Sequence, residues 1–86
     1  MKDNLPSSIG TIDWQKAQAK KISVRIDGHA TSISLEQAYI DILLQEANKL
    51  ELSFASLVTL IDETRPCEIN LSAALRLLAL KLAKNI

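Results

Sequence analysis

The stretch from Lys21 to Leu35, Lys-Ile-Ser-Val-Arg-Ile-Asp-Gly-His-Ala-Thr-Ser-Ile-Ser-Leu, decides the fold of this chain. Large aliphatic residues alternate with polar or cationic ones, which is the pattern of strands with one buried face. Asp27-Gly28 interrupts the pattern and is typical of a type I′ hairpin turn, which needs positive φ at both positions. Such a turn places Ile26 opposite His29 and sorts the aliphatic side chains onto one face. The opposite face then carries Lys21, Ser23, Arg25, Ala30, Ser32 and Ser34.

Three helices are predicted after the hairpin. Apolar residues at helical spacing indicate helices from about Leu35 to Leu50, from Phe54 to Thr64 and from Leu71 to Lys84. Ser53 and Asn70 are placed to cap the second and third helices, and Ser34 with Gln37 predicts a capping box for the first. The predicted fold class is therefore α+β and mostly helical, an N-terminal β-hairpin followed by three helices.

The composition is that of one small domain without an internal disulfide or a structural metal site. The chain has 86 residues, a net charge of zero, one cysteine (Cys67) and one histidine. No internal disulfide can form, and the usual structural zinc site needs more ligands of these types. We predict no metal and no cofactor. Because so short a chain has a modest core, oligomerisation is the expected source of additional buried surface.

The sequence pattern divides the chain into three parts. Residues 1–19 show no sustained period and are predicted to be a mobile arm. Residues 20–66 hold the hairpin and two helices, and residues 67–86 add a helix that completes the same domain.

No apolar run is long enough for a membrane span, and Met1–Gly10 lacks a secretory signal pattern. These features favour a cytoplasmic location.

The charges are unevenly distributed although they sum to zero. Between Gln15 and Ile26 every charged residue is basic, namely Lys16, Lys20, Lys21 and Arg25. Acidic residues dominate from Leu35 to Glu68, and the C-terminal end is basic again. This distribution is compatible with one charged binding face, whereas the zero net charge counts against nucleic-acid binding.

Two sequence blocks carry a resemblance to a known family. They are Gly28-His-Ala-Thr-Ser within residues 21–36 and Asn70-Leu-Ser-Ala-Ala within residues 70–76. The stretch from Thr31 to Ile61, with its order of strand, helix and helix, resembles the ribbon-helix-helix superfamily of Arc-type and MetJ-type repressors. The two blocks are similar, more narrowly, to a small bacterial family within it. The resemblance covers roughly residues 20–84.

The resemblance implies an intertwined homodimer that binds double-stranded DNA with an antiparallel ribbon. In this superfamily alternate strand side chains enter the major groove. Those positions match Ala30, Ser32 and Ser34 in this sequence. The N-terminus of the second helix anchors a DNA phosphate in such proteins, and that position maps to Ser53 and Phe54.

Three features depart from the superfamily pattern. Ala30 stands where a long polar residue is expected, which makes base recognition by this strand poor. Glu51 occupies the position usually held by glycine between the helices and adds a negative charge near the phosphate anchor. The hairpin also supplies an additional strand per chain, so a dimer that keeps both hairpins paired has a four-stranded sheet, wider than the ribbon that the major groove accepts.

Three alternatives follow: the first strand separates from the sheet, the protein contacts DNA differently, or it does not bind DNA. The sequence does not decide which of the two strands forms the dimer seam.

The favoured function is that of a homodimeric DNA-binding protein and transcriptional regulator. Its affinity would come largely from phosphate contacts, which makes binding sensitive to salt. The predicted phosphate contacts are Lys16, Lys20, Ser53 and Phe54, in addition to the cations of the hairpin. Sequence recognition would be modest, through Arg25, Ser32 and Ser34.

The alternative is a dimerising protein-interaction module, antitoxin-like or adaptor-like, that does not bind DNA. It would bind a protein partner through the C-terminal helix or the N-terminal arm. Leu77, Leu80 and Ile86 could form a groove for such a partner, although the dimer core is the favoured use of these residues. An enzyme is disfavoured, because His29 and Asp27 have no nucleophile at a convincing spacing.

Overall fold

The computed structural model describes residues 4–85, and its hairpin followed by three long helices confirms the predicted fold class. A short helix α1 (Ser7–Gly10) and a 3-10 turn (Trp14–Ala17) precede strands β1 (Ala19–Ile26) and β2 (His29–Glu36). The strands pair antiparallel with Ile26 opposite His29, as predicted. Asp27 and Gly28 have φ values of 51° and 80°, as a type I′ turn requires. Residues 1–3 of the predicted arm and Ile86 of the predicted groove lie outside the described residues.

Helices α2 (Gln37–Lys49), α3 (Phe54–Thr64) and α4 (Leu71–Lys84) follow the hairpin. The bounds predicted for α3 and α4 are confirmed, and so are their caps. Ser53 Oγ accepts the N–H of Ser56 at 3.0 Å, and Asn70 Oδ1 accepts the N–H of Ala73 at 2.7 Å. Each cap satisfies a backbone donor that the first turn of its helix leaves unpaired.

The capping box predicted for α2 is wrong. Ser34 lies inside β2, and α2 begins at Gln37 instead of Leu35. Glu36 takes the N-cap position without a side-chain hydrogen bond, and Gln37 Nε2 donates to Asp41 Oδ1 at 2.8 Å. Leu35 pairs with β1 and is fully buried, so its packing prolongs the strand beyond the serine that would otherwise cap the helix.

The segment before the hairpin is attached to the start of α2. The N–H of Gln37 donates to the carbonyl of Gln18 at 2.9 Å. Lys16 Nζ forms an ion pair with Asp41. Residues 14–18 therefore lie against α2, and the mobility of the arm stays a prediction.

One cluster of buried side chains joins the hairpin to the three long helices. Each of β1, β2, α2, α3 and α4 contributes to it, and Leu35, Leu43, Val58 and Leu75 are its largest fully buried side chains. The hairpin thus packs its aliphatic face on the helices and leaves its other face open to solvent. No helix within residues 4–85 is long and apolar enough to cross a membrane.

Candidate functional site

The open face of the hairpin, called the sheet face below, holds the side chains that the sequence predicted for the DNA-contacting ribbon. All of them are exposed. The strand register arranges them in facing pairs: Lys21 with Ser34, Ser23 with Ser32, and Arg25 with Ala30. The sheet face therefore combines cations on β1 with small uncharged side chains on β2, and none of these residues is acidic.

The two cations of the sheet face stand outside every ion pair found within residues 4–85. Arg25 Nη1 donates to the carbonyl of Gly28 at 2.7 Å, which holds the guanidinium near the turn. A guanidinium has five N–H donors, so this single bond leaves others for an anion. Lys21 and Arg25 are thus available to a negatively charged ligand.

Two of the predicted phosphate contacts lie elsewhere. Lys16 is paired with Asp41, and the hydrogen bond between them raises the pKa of Lys16 and lowers that of Asp41. Lys20 is exposed but stands opposite the buried Leu35 in the register, on the other side of the sheet from Lys21. The structure does not bring Lys16 and Lys20 onto the sheet face.

The beginning of α3 lies beside the turn end of the hairpin. Ser53 Oγ is used as the helix cap, and Phe54 is half-buried against the core. Arg25 and Ser56 line the same open cavity of about 320 Å³ between the hairpin and α3. Because backbone N–H groups at a helix N-terminus favour anions, one phosphate could contact both Arg25 and the start of α3. Ser56 was missed by sequence reasoning, since only folding brings α3 next to the turn.

A second ion pair, also invisible in the sequence, ties α4 to the junction of β2 and α2. Arg76 Nε and Nη2 donate to the two carboxylate oxygens of Glu36 at 2.9 and 3.2 Å. The hydrogen bond from Arg76 holds the pKa of Glu36 below its usual range. Arg76 also lies 6.0 Å from the ring centre of Tyr39. Beside them, Trp14 is 70% exposed and lines a shallow cavity of about 400 Å³.

An apolar groove of about 430 Å³ separates α3 from α4. Ile61, Ile69 and Leu77 contribute to its lining, and Leu77 is 64% exposed. Leu80, which the sequence assigned to the same groove, is 47% exposed but does not line it. The groove is the second surface of this chain that could bind a partner.

Reactive side chains do not gather into a catalytic arrangement in the part of the chain that the structure describes. His29 is exposed at the end of the turn. Cys67 is also exposed, and its Sγ donates to Glu68 Oε2 at 3.3 Å, which lowers the pKa of Glu68. No three His, Cys, Asp or Glu side chains among residues 4–85 are grouped as metal ligands.

A family model described as a ribbon-helix-helix domain matches residues 18–83 of the chain. The chain belongs to the ribbon-helix-helix family. This match confirms the resemblance to the ribbon-helix-helix superfamily. Ribbon-helix-helix domains form a non-catalytic DNA-binding fold, which argues against an enzyme.

Among solved structures, this ribbon-helix-helix chain is similar to an uncharacterized protein from Bordetella pertussis Tohama I. The TM-score is 0.79 and the sequence identity is 24%, so the likeness shows the fold alone. The match covers 91% of this chain and 66% of that protein, which means that the chain spans slightly less than two thirds of its length. Comparison with functionally curated proteins gives no match.

Proposed function

We propose that this chain is a homodimeric DNA-binding protein, acting as a transcriptional regulator, that contacts duplex DNA with its sheet face. The observation that carries the proposal is the exposed pair Lys21 and Arg25, outside every described ion pair, on a ribbon-helix-helix hairpin without acidic side chains on that face. A cytoplasmic location, where a bacterial duplex would be reached, is part of the same proposal.

The size of the exposed surface supports a dimer. A compact monomer of 9.5 kDa would expose about 5,000 Å². This chain exposes 6397 Å², about a quarter more. Its radius of gyration of 15.0 Å also exceeds the roughly 12 Å of a compact chain of this length. The surplus is larger than the roughly 800 Å² that each partner buries in a standard interface.

The chemistry of the sheet face favours phosphate contact over base recognition. Serine discriminates poorly between bases, and Ala30 cannot hydrogen-bond to a base edge through its side chain. Lys21 and Arg25 of the two copies provide the cations. If each of these side chains contacts one phosphate, together they contribute about −3.6 to the slope of log K against log salt concentration.

The proposal is tested by titrating the protein into mixed-sequence duplex DNA and following fluorescence anisotropy at several salt concentrations. We expect Lys21→Ala/Arg25→Ala to bind more weakly at low salt and to lose most of that slope. The matched control is Lys49→Ala/Lys84→Ala, which removes the same charge from exposed positions at the ends of α2 and α4. It should keep the wild-type slope to within about 1.

Two results would contradict DNA binding by the sheet face. Absence of binding at low salt, from a sample shown to be dimeric by sedimentation, would remove the function itself. Equal weakening in both double variants would show that only overall charge matters and that the sheet face is not the contact.

The apolar groove between α3 and α4 supports a second candidate function, a dimerising module that binds another protein. Leu77 is the groove residue most exposed to solvent and therefore the best probe. Leu77→Asp should abolish such a complex while leaving DNA titrations unchanged. A stable complex with a partner protein, recovered in the absence of any duplex binding, would select this candidate over the first.

A further inference from the structure

We infer that Asp41 holds Lys16 against α2 in the free protein, and that a phosphate of bound duplex DNA displaces Asp41 as the partner of Lys16. Residues 4–18, called the N-terminal segment below, move away from α2 in this exchange. The inference rests on the proposed function and deepens it, because it adds a cation to the DNA contact and names the residue that restrains it. Asp41 is thus a positioning residue that competes with phosphate.

Few polar contacts attach the N-terminal segment to the elements that follow it. Every residue from 4 to 18 is exposed, and neither α1 nor the 3-10 turn has a buried residue. Within residues 4–85, the described polar contacts of the segment with later elements are the ion pair of Lys16 with Asp41 and the hydrogen bond from the N–H of Gln37 to the carbonyl of Gln18. A segment with little buried surface opens locally at low cost in free energy.

The large apolar side chains of the N-terminal segment contribute little to its attachment. Leu5, Ile9 and Ile12 are between 43% and 47% exposed, and Trp14 is 70% exposed. Burial stabilises in proportion to the apolar area removed from water, so side chains that keep so much of their surface in solvent hold a segment weakly. The ion pair is therefore a main restraint on the position of the segment.

The ion pair itself can exchange one acidic partner for another. The side chains of Lys16 and Asp41 are 48% and 36% exposed, and ion pairs in contact with solvent are weak and are screened by salt. Gln37 Nε2 donates to Asp41 Oδ1, whereas Lys16 binds Asp41 Oδ2. When Lys16 leaves, Asp41 keeps the bond from Gln37 and its other oxygen meets water, so no buried charge is left unpaired. The departure of Lys16 therefore costs little.

Lys16 is close enough in the chain to reach DNA that lies on the sheet face. It stands three residues before Ala19, where β1 begins, and Lys21 of the sheet face follows two residues after Ala19. An extended chain spans about 3.3–3.6 Å per residue, so the Cα of a released Lys16 can lie up to roughly 10 Å from that of Ala19. The stretch from Lys16 to Lys21 contains three lysines and no acid, and a phosphate backbone attracts such a stretch. Release from Asp41 would therefore place a further cation of each chain beside the bound DNA.

A double-mutant cycle on the whole chain tests the exchange, with mixed-sequence duplex DNA as the probe and fluorescence anisotropy as the readout. Asp41→Asn removes the charge and keeps an oxygen that accepts from Gln37. Because two exposed ion pairs per dimer no longer have to open, we expect it to bind roughly 2- to 30-fold more tightly. Lys16→Ala should reduce the slope of log K against log salt concentration by about 1.8, or about 0.9 per copy. Lys16→Ala/Asp41→Asn should bind like Lys16→Ala.

Glu46→Gln is the matched control, because it removes the same charge from α2 and because Glu46 belongs to none of the ion pairs described within residues 4–85. It should change the affinity much less than Asp41→Asn does, and by the same factor in the Lys16→Ala background. A gain from Asp41→Asn that persists in that background, or an equal gain from Glu46→Gln, would overturn the inference, since either would be an effect of overall charge.

Trp14 reports the movement of the N-terminal segment independently of affinity. It is the only tryptophan of the chain and lies two residues before Lys16, and it lines the shallow cavity together with Tyr39 and Arg76. When the protein is labelled with fluorotryptophan, fluorine NMR records one resonance that duplex DNA does not obscure. We expect this resonance to shift when duplex is added to the wild type, and Asp41→Asn to shift it in the same direction without DNA. A resonance that stays in place while duplex binds would show that the segment remains on α2.

The outcomes separate this inference from the proposed function. Absence of duplex binding by every variant at low salt would remove both. Binding that Lys21→Ala/Arg25→Ala weakens, but that is the same for the wild type, Asp41→Asn and Lys16→Ala, would leave the sheet-face contact standing and overturn the role of Lys16 and Asp41.

Discussion

Replacing Glu51 with glycine should make the protein more stable, and the structure gives the size of the effect. Glu51 ends α2 in a Schellman motif, in which its N–H bonds to the carbonyl of Asn48 at 3.1 Å and the N–H of Leu52 bonds to that of Ala47 at 2.8 Å. Its φ of 58° is left-handed, which costs an L-residue about 1–2 kcal/mol. Glycine also has more conformational freedom in the unfolded chain, which lowers the stability of the folded state by about 0.4–1 kcal/mol. The net gain is about 0.5–1 kcal/mol per chain.

Thermal unfolding at fixed protein concentration measures this gain. For a domain of this size, Glu51→Gly should raise the Tm by about 2–8 °C. Glu51→Gln is the matched control, because it removes the charge but keeps a side chain in the left-handed conformation. Its Tm should stay close to that of the wild type.

The same variants test whether the carboxylate of Glu51 opposes DNA binding at the start of α3. Both remove a negative charge two residues before the cap Ser53, so both should bind duplex DNA more tightly and to a similar extent. A Tm for Glu51→Gly no higher than that of Glu51→Gln would refute the strain argument. Unchanged affinity in both variants would show that no phosphate lies near this helix end.

Further predictions concern the core, the turn and acid stability. Leu75→Ala should lower the unfolding free energy by about 2–5 kcal/mol, since Leu75 is fully buried. Chemical denaturation should show one transition shared by α4 and the hairpin, and a separate early loss of α4 would contradict a single domain. Gly28→Ala should lower the unfolding free energy by about 1 kcal/mol. Backbone strain alone is the cause, because φ is 80° and the added Cβ contacts no other atom. An unchanged Tm would refute this prediction. Because the pKa of Glu36 is lowered in the folded protein, its ion pair with Arg76 stabilises the fold fully above the ordinary glutamate pKa of about 4.3. This stabilisation decreases as the pH falls through the lowered pKa. Arg76→Met should therefore differ from wild type at neutral pH and converge with it in acid, and a constant difference would exclude the ion pair as the cause.

Local signals in the sequence predicted the hairpin and all three long helices, although α2 begins two residues later than predicted. Alternation around Asp27-Gly28 defines both strands and their register, because a two-residue turn permits one pairing and because a one-residue slip would expose the aliphatic face. Ser53 and Asn70 mark the starts of α3 and α4 because each cap is a bond between residues three positions apart.

The prediction failed where distant packing competed with a local preference. Ser34 has the chemistry of a helix cap, yet the pairing and burial of the adjacent Leu35 keep it in β2. Lys16 lies in a stretch whose charged residues are all basic, which predicted a cation available to phosphate. Folding instead places it against Asp41 on α2. Neither contact produces a periodic pattern in the sequence, because the partners are far apart in the chain.

The sequence by itself therefore determined the elements, their order and the sorting of the hairpin into an aliphatic face and a polar, cationic one. These properties depend on side-chain periodicity, turn chemistry and caps, all of which act over a few residues. Only the tertiary structure decided which cations remain available. It paired Lys16 and Arg76 with acids of other elements, left Lys21 and Arg25 outside every described ion pair, and brought α3 beside Arg25. The physical reason is that an ion pair depends on distance in space, which for residues on different elements is set by core packing and not by position in the chain.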